Sequence, residues 1–179
     1  MTSGSWVALV VAALLAFWML GAHNRVVALR NAIVVAWSQC EPRLLQRAQA
    51  VLLLVEQLRP LLLTEVGTLD AARHAQALLA AACDAARPRP TLADAVLHVA
   101  RCDAALAPTL TRLTALAELL QPPDAEVAST LQQLRELEDG LRFARQRYND
   151  AVEIYNQATR QWPTRLLAPL FRFDAAGLL

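Results

Sequence analysis

The stretch that decides the fold is "WVALVVAALLAFWML", residues 6–20, in which every side chain is apolar. Residues 1–22 as a whole carry no charged side chain. As an α-helix that rises ~1.5 Å per residue, about 20 such residues span the ~30 Å hydrocarbon core of a bilayer. Trp6 and Trp18 lie near the two ends of the segment, where interfacial aromatic residues are common. Residues 1–22 are therefore predicted to form a transmembrane anchor.

The competing interpretation of this segment is a cleaved signal peptide. The leading "MTSGS" contains no Arg or Lys, and "MLGAHN", residues 19–24, offers no good small-residue cleavage site. These two observations favour a retained anchor. Arg25 and Arg30 follow the span and no basic residue precedes it, so the positive-inside rule places the bulk of the chain in the cytoplasm.

Beyond the anchor, apolar residues recur every three or four positions, which predicts a helix continuous with the membrane helix. Pro42 interrupts this pattern and is the candidate position for a kink. The predicted buried stripe consists of Val26, Ile33, Trp37, Cys40, Leu44, Ala48, Val51, Val55, Leu58 and Leu62.

Three further helices are predicted. The second runs from about Leu69 to Ala86, the third opens with Thr91 as its N-cap, and the fourth follows Asp124 as N-cap and ends at Trp162-Pro163. The stripe of the fourth helix is Leu134, Leu137, Leu141, Ala144, Tyr148, Ala151, Tyr155, Ala158 and Trp162, a spacing typical of long antiparallel packing or a coiled coil.

The predicted fold is therefore all-α. A transmembrane helix continues into an antiparallel bundle of about four helices, because short connections favour antiparallel neighbours. The expected domains are the anchor at 1–22, the bundle at 23–163 and an apolar C-terminal tail at 164–179.

Composition excludes several classes of function. The net charge is +1 and the 17 basic residues, all of them Arg, form no stripe, which argues against nucleic acid as a partner. Cys40, Cys83 and Cys102 are odd in number and far apart, which is typical of buried free thiols in a reducing compartment.

No catalytic motif for a nucleotide, a nucleophilic serine or a zinc protease is present, so no enzymatic activity and no cofactor are predicted. His98 and Cys102, with Asp94 and Cys83 nearby, could approach Zn²⁺, but no second closely spaced ligand pair accompanies them, and no metal site is predicted. Glu138 and its charged neighbours on the fourth helix are expected to form solvated pairs.

Two Tyr-Asn pairs lie seven residues apart in "RYNDAVEIYN", residues 147–156. A second polar row with the same step flanks the stripe of the first helix. Packing four helices up and down places the two segments side by side near the membrane. Because a buried amide without a partner costs ~1–3 kcal/mol, these residues are predicted to form a seam that fixes the register of the first and last helices.

The residues of this predicted seam are Asn24, Asn31, Trp37, Ser38, Tyr148, Asn149, Tyr155, Asn156 and Trp162. The alternative is that they line a binding groove. A scaffold would have a closed seam here, whereas a sensing module would have a concave pocket between the first and last helices.

"RYNDAVEIYN", followed by "WP", resembles the C-terminal signature of the LemA family of bacterial membrane proteins. The other signature of that family, just after the anchor, is similar to "HNRVVALRNAIVVAWSQ", residues 23–39. His23 replaces a Tyr of the family pattern, Pro42 enters where the family continues the helix, and 46–64 lacks the family's more polar pattern. The resemblance implies a helical bundle anchored in the bacterial inner membrane and carries no established chemical reaction.

The tail, residues 164–179, has two open interpretations. It lies along the bilayer with Leu166, Leu170, Phe171 and Phe173 inserted, or it packs back onto the bundle.

The function predicted from these observations is a scaffold or adaptor. A ligand- or peptide-sensing module and an enzyme of unrecognised type are the second and third interpretations. Expected partners are membrane lipid and other membrane or envelope proteins, with self-association also open.

Overall fold

A computed structural model describes residues 3–120, 124–162, 164–166 and 168–179. The helices are α1 (Ser3–Leu58), α2 (Val66–Ala86), α3 (Ala93–Leu119) and α4 (Ala125–Arg160), followed by a 3₁₀ turn (Thr164–Leu166) and a single-turn α5 (Ala168–Phe171). Within these ranges the chain contains no strand. The predicted all-α fold, with a long apolar N-terminal helix and further helices packed together, is confirmed.

The first helix carries both the apolar segment and the centre of the bundle. It comprises 56 residues and continues through Pro42 without interruption. At ~1.5 Å per residue it is about 80 Å long. Its N-terminal part is long and apolar enough to cross a membrane, and its large apolar side chains there, such as Phe17, are exposed. From Val26 onward the predicted stripe is buried as far as Leu58.

Consecutive helices pack antiparallel. An ion pair joins Arg59, just after α1, to Asp70, near the start of α2 (3.4 Å), and the side chains of Glu41 and Arg87 meet at 2.6 Å near the other end of the pair. α3 runs back along α2, and α4 returns along α1. α3 makes its main contacts with α2, and α4 makes its main contacts with α1, which leaves the side between α3 and α4 open.

The two predicted N-caps have different outcomes. Asp124 caps α4 as predicted, since its side chain accepts a hydrogen bond from the Glu126 N–H at 3.1 Å. Thr91 does not cap α3, and that prediction is wrong. Leu92 occupies the position with an extended backbone, and α3 starts at Ala93 without a side-chain cap. The chain turns into the helix one residue later than the Thr would require.

Candidate functional site

The two signature segments lie side by side, as the sequence predicts. The ring of Trp37 on α1 meets the ring of Tyr148 on α4 edge to face, with centroids 5.7 Å apart. Further along the same interface, Arg43 Nη1 donates to the Gly140 carbonyl at 2.7 Å. These two contacts show that α1 and α4 pack antiparallel along this interface.

The asparagines of the Tyr-Asn pairs bind the C-terminal tail. The Asn149 amide donates to the Leu179 carbonyl and accepts from the Leu179 N–H, both at 2.9 Å. The Asn156 amide does the same with Ala176, at 3.0 and 2.9 Å. Each side chain thus presents a donor and an acceptor to one residue of an extended segment, as a neighbouring β-strand would. The distance between Asn149 and Asn156, which are seven residues apart on the helix, matches the distance between Ala176 and Leu179, which are three residues apart in the extended tail.

The two tyrosines complete this arrangement through their hydroxyl groups. The buried Tyr148 hydroxyl lies 2.9 Å from the Pro90 carbonyl and 3.1 Å from the Gly177 carbonyl, and its one proton serves either acceptor. The Tyr155 hydroxyl donates to the Asp174 carbonyl at 3.0 Å. Burial raises the pKa of both phenols above the ordinary value, which keeps them protonated as donors. We call Tyr148, Asn149, Tyr155 and Asn156 the tail clamp.

The polar row on α1 does not take part. Asn24, Asn31 and Ser38 are exposed, and the Ser38 hydroxyl donates to the Val35 carbonyl of its own helix at 2.8 Å. The predicted role of the asparagines in the register of α1 and α4 is therefore corrected. A tail without helical structure leaves its main-chain N–H and C=O groups in need of partners, and the amides on α4 supply them.

Trp162 also differs from the prediction. Instead of continuing the buried stripe of α4, it is 80% exposed. It lines a small surface pocket together with Trp18, Gly21 and Arg25 of α1. The C-terminal end of α4 therefore reaches the level at which the apolar part of α1 ends.

Different parts of the tail agree with different ones of the two interpretations that the sequence left open. Phe173 is buried and lies with Phe171 against the His23 ring, at centroid distances of 5.5 and 4.5 Å respectively. Leu166 and Leu170 are exposed. The part of the tail from Phe173 onward therefore packs on the bundle, as Phe171 and Ala168 do in part, whereas Leu166 and Leu170 face outward.

Gly177 allows the tail to approach α3 closely. A Cβ at this position would lie 2.8 Å from the Ala93 carbonyl oxygen, at the first residue of α3. Contacts this short are essentially never tolerated, so the absence of a side chain is required here. The clamp, the tail and the start of α3 form one packed unit.

A buried charge cluster was not predicted. Arg47 is 4% exposed and pairs with Asp103 and with Glu138, the latter at 2.9 Å, while Asp103 also pairs with Arg145. Glu138 was expected in a solvated pair, but it faces α1 instead. The available signal was an arginine beside Ala48 in the apolar stripe of α1, a position where an unpaired charge is not stable.

A groove of about 840 Å³ separates α3 from α4. Its walls combine small and branched apolar side chains with acidic residues of both helices and with arginines of α4. The lining includes Ala100, Ala104, Ala107, Leu110, Thr111, Leu131, Leu134, Arg135, Glu118 and Arg142, and the buried charge cluster closes one end. A smaller pocket of about 390 Å³ lies beside one of the Tyr-Asn pairs, where Tyr155 of α4, Arg30 of α1 and Asp174 of the tail line it.

Two of the four side chains considered as zinc ligands lie close together. Cys102 Sγ and His98 Nε2 are 3.9 Å apart on α3. Burial raises the pKa of the Cys83 thiol on α2 to about 12, so this thiol is protonated at neutral pH. Among the residues that the structure describes, no group of three or more His, Cys, Asp or Glu side chains could hold a metal ion.

Comparison with known proteins identifies the family. No curated protein is similar enough to the chain to be matched to it. The LemA family model matches residues 36–179, which include the clamp and the tail that it holds, as well as the last residues of the signature after the anchor. The match covers most of the chain, and we conclude that the chain belongs to the LemA family.

Proposed function

We propose that the chain is a scaffold or adaptor of the bacterial inner membrane that acts without catalysis. In this proposal α1 crosses the bilayer once, and the bundle holds a partner protein on the cytoplasmic side. Family membership and the apolar start of α1 support the location. Arg25 and Arg30, which follow the span, support the sidedness.

The observation that carries the proposal is the continuity of α1. One uninterrupted helix, Ser3–Leu58, contains the apolar span and the central helix on which α2 and α4 pack. A flexible linker would let the bundle rotate freely, whereas a continuous helix sets its distance and orientation relative to the bilayer. Such a rigid mount suits a protein that positions a partner near the membrane.

The groove between α3 and α4 is the docking surface that we assign to the partner. Its two walls are helices, and it takes the place of the fourth interface of a closed bundle, so an amphipathic helix fits it best. Charges of both signs along its walls, such as Arg135 paired with Glu118 at 2.9 Å, complement a helix whose apolar stripe is flanked by both Lys/Arg and Asp/Glu.

Photo-crosslinking in intact membranes tests this assignment. A photoreactive phenylalanine analogue at Ala107, exposed in the groove, is expected to give one discrete adduct with a membrane or envelope protein. The matched control is Ala77, an exposed alanine on α2 outside the groove. Replacing Ala104 with Trp should remove the adduct by filling the groove. Equal adducts at Ala107 and Ala77, or none at Ala107, would contradict the assignment.

Sidedness is tested separately with a cysteine at Leu63, which is 77% exposed at the bundle end far from the span. We expect a membrane-impermeant maleimide to label this cysteine in inverted inner-membrane vesicles and not in spheroplasts. Labelling in intact spheroplasts would place the bundle outside the cytoplasm and would contradict that part of the proposal.

A peptide-sensing role is the second candidate, and the tail clamp favours it. The hydrogen bonds of the clamp reach only main-chain atoms of the tail, so another extended peptide with glycine at the position of Gly177 would satisfy them. The Phe173→Ser variant should release the tail and leave the clamp free. A fluorescent peptide of residues 173–179 is expected to bind this variant and to lose binding when Asn149 and Asn156 are also replaced with Ala. An absence of binding to the Phe173→Ser variant would exclude this role.

A further inference from the structure

The segment between the end of α4 and the clamped tail exposes three large apolar side chains. Trp162 is 80%, Leu166 67% and Leu170 68% exposed. Side chains of this size are normally buried, and a cluster of them on one short segment marks an interaction surface. We call Trp162, Leu166 and Leu170 the collar.

The collar is held at a defined position by its two flanks. On one side α4, which packs along α1, ends at Arg160, and on the other side Phe173 is buried and its N–H donates to the Ala168 carbonyl at 2.9 Å. The exposure of Leu166 and Leu170 is therefore not that of a loose terminus. The fold presents these side chains outward while it fixes both ends of their segment.

The collar lies beside the end of the apolar span. Trp162 and Thr164 line one surface pocket with Trp18, Gly21 and Ala22 of α1. About 20 helical residues cross the hydrocarbon core, so these α1 residues mark the depth at which a span beginning near the N-terminus leaves it. Trp at this depth is typical of the interface between lipid and water.

The charges near the collar suit an anionic lipid surface. Between residues 154 and 173 the chain contains Arg160, Arg165 and Arg172 and no acidic residue. Arg25 lines the pocket that Trp162 shares with the span. Apolar side chains flanked by arginines are the composition of segments that lie in the headgroup region of a membrane.

We infer that the collar inserts into the interfacial layer of the membrane leaflet at which the α1 span ends. The protein then contacts the bilayer at two places, through α1 and through the collar, and this second contact fixes the tilt of the bundle against the membrane. The inference rests on the proposed membrane location. The bilayer is favoured over a second copy because Trp162 of the collar shares a surface pocket with the exposed Trp18 at the end of the apolar part of α1.

Fluorescence quenching on the full-length protein in vesicles of phosphatidylcholine and phosphatidylglycerol tests the inference. An environment-sensitive fluorophore is attached to Leu166→Cys or Leu170→Cys, since the native cysteines are buried. Leu63→Cys and Leu119→Cys are matched controls, because both leucines are 77% exposed and lie at the opposite end of the bundle. A label at Leu14, in the span, reports on α1 itself.

The expected result is quenching of the collar labels by lipids with a nitroxide near the headgroup, roughly threefold stronger than at the controls, because interfacial side chains lie ~5–10 Å deep. Iodide in the water should quench the control labels more strongly. If Leu14 is quenched by lipid and the collar behaves like Leu63, the inference is overturned while the membrane location stands. If Leu14 is not quenched by lipid, the membrane location itself fails and the inference with it. Collar labels shielded from both quenchers would show a protein cover, such as a second copy, and would also overturn it.

Discussion

The tail clamp makes a prediction for Asn156→Ala. Asn156 makes two hydrogen bonds with the main chain of Ala176, at 3.0 and 2.9 Å, and alanine removes both. Because alanine favours helix more than asparagine does, α4 itself is not weakened by the change. The substitution therefore acts on the docking of the tail.

The size of the effect follows from these two hydrogen bonds. Each contributes ~1 kcal/mol net, so the opening of the tail should become about 2 kcal/mol easier. Since ~1.4 kcal/mol is a factor of ten, the open fraction should rise about 30-fold. The thermal unfolding midpoint of the bundle should change little, because water solvates the main-chain groups of a released tail and the loss cannot exceed the free energy of tail docking.

Hydrogen exchange at single-residue resolution on the full-length protein is the assay. The amide of Ala176 loses its acceptor in the variant and will exchange faster in any case. The amide of Leu179 is informative, because its acceptor on Asn149 remains in place. If the tail opens as one unit, exchange at Leu179 should also accelerate about 30-fold, in proportion to the open fraction.

Asn31→Ala is the matched control, since Asn31 belongs to the exposed row on α1. We expect no change in exchange at Leu179 in this variant. An acceleration at Leu179 of less than about threefold in Asn156→Ala, or equal acceleration in both variants, would refute the reasoning that the clamp holds the tail cooperatively. A large fall in the unfolding midpoint of Asn156→Ala would instead support a role in helix register.

Three further predictions concern packing, charge and pH. Gly177→Ala should release the tail, because its Cβ would meet the Ala93 carbonyl oxygen at 2.8 Å, and limited proteolysis of the tail would detect this. Asp103→Asn should lower the free energy of unfolding by about 2 kcal/mol, because the buried Arg47 and the half-buried Arg145 lose the carboxylate that they share while Glu138 still pairs with Arg47. Asp139→Asn, at an exposed pair, should change it by less than ~0.5 kcal/mol, and chemical denaturation compares the two variants. Burial raises the pKa of Cys83 from 9.0 to about 12, so the contribution of this thiol to stability is complete below pH 9 and is lost as the pH rises to 12. Alkylation of Cys83 at pH 9 should therefore be at least about 100-fold slower in the folded than in the unfolded protein.

Much of the fold is readable from local spacing. The apolar residues of α1 from Val26 to Leu58 and the cap at Asp124 follow from helical periodicity and from side-chain chemistry that acts within one turn. Trp162 shows where this reasoning stops. It continues the apolar spacing of α4, yet α1 at that level offers no buried face, so the ring stays exposed.

The tail clamp was only partly predictable because its binding partners are not side chains. The heptad spacing of Asn149 and Asn156 identifies the residues, but the groups that they bind are main-chain atoms of the tail. Every residue has such groups, so no complementary side chain marks the partner in the sequence. The pair of Arg47 and Asp103 was missed because 56 positions separate two residues that only the packing of α1 against α3 brings together.

By itself, the sequence determined the apolar segment of α1, the number and order of the long helices and most of the buried face of α1 and α4, because these properties arise from neighbours within a few turns. The tertiary structure alone decided that Phe173 is buried while Leu170 is exposed, although both are large and apolar. It also decided that α3 and α4 leave a groove open. Burial and concavity depend on which surfaces meet across the bundle, and that is a property of the packed chain rather than of any local segment.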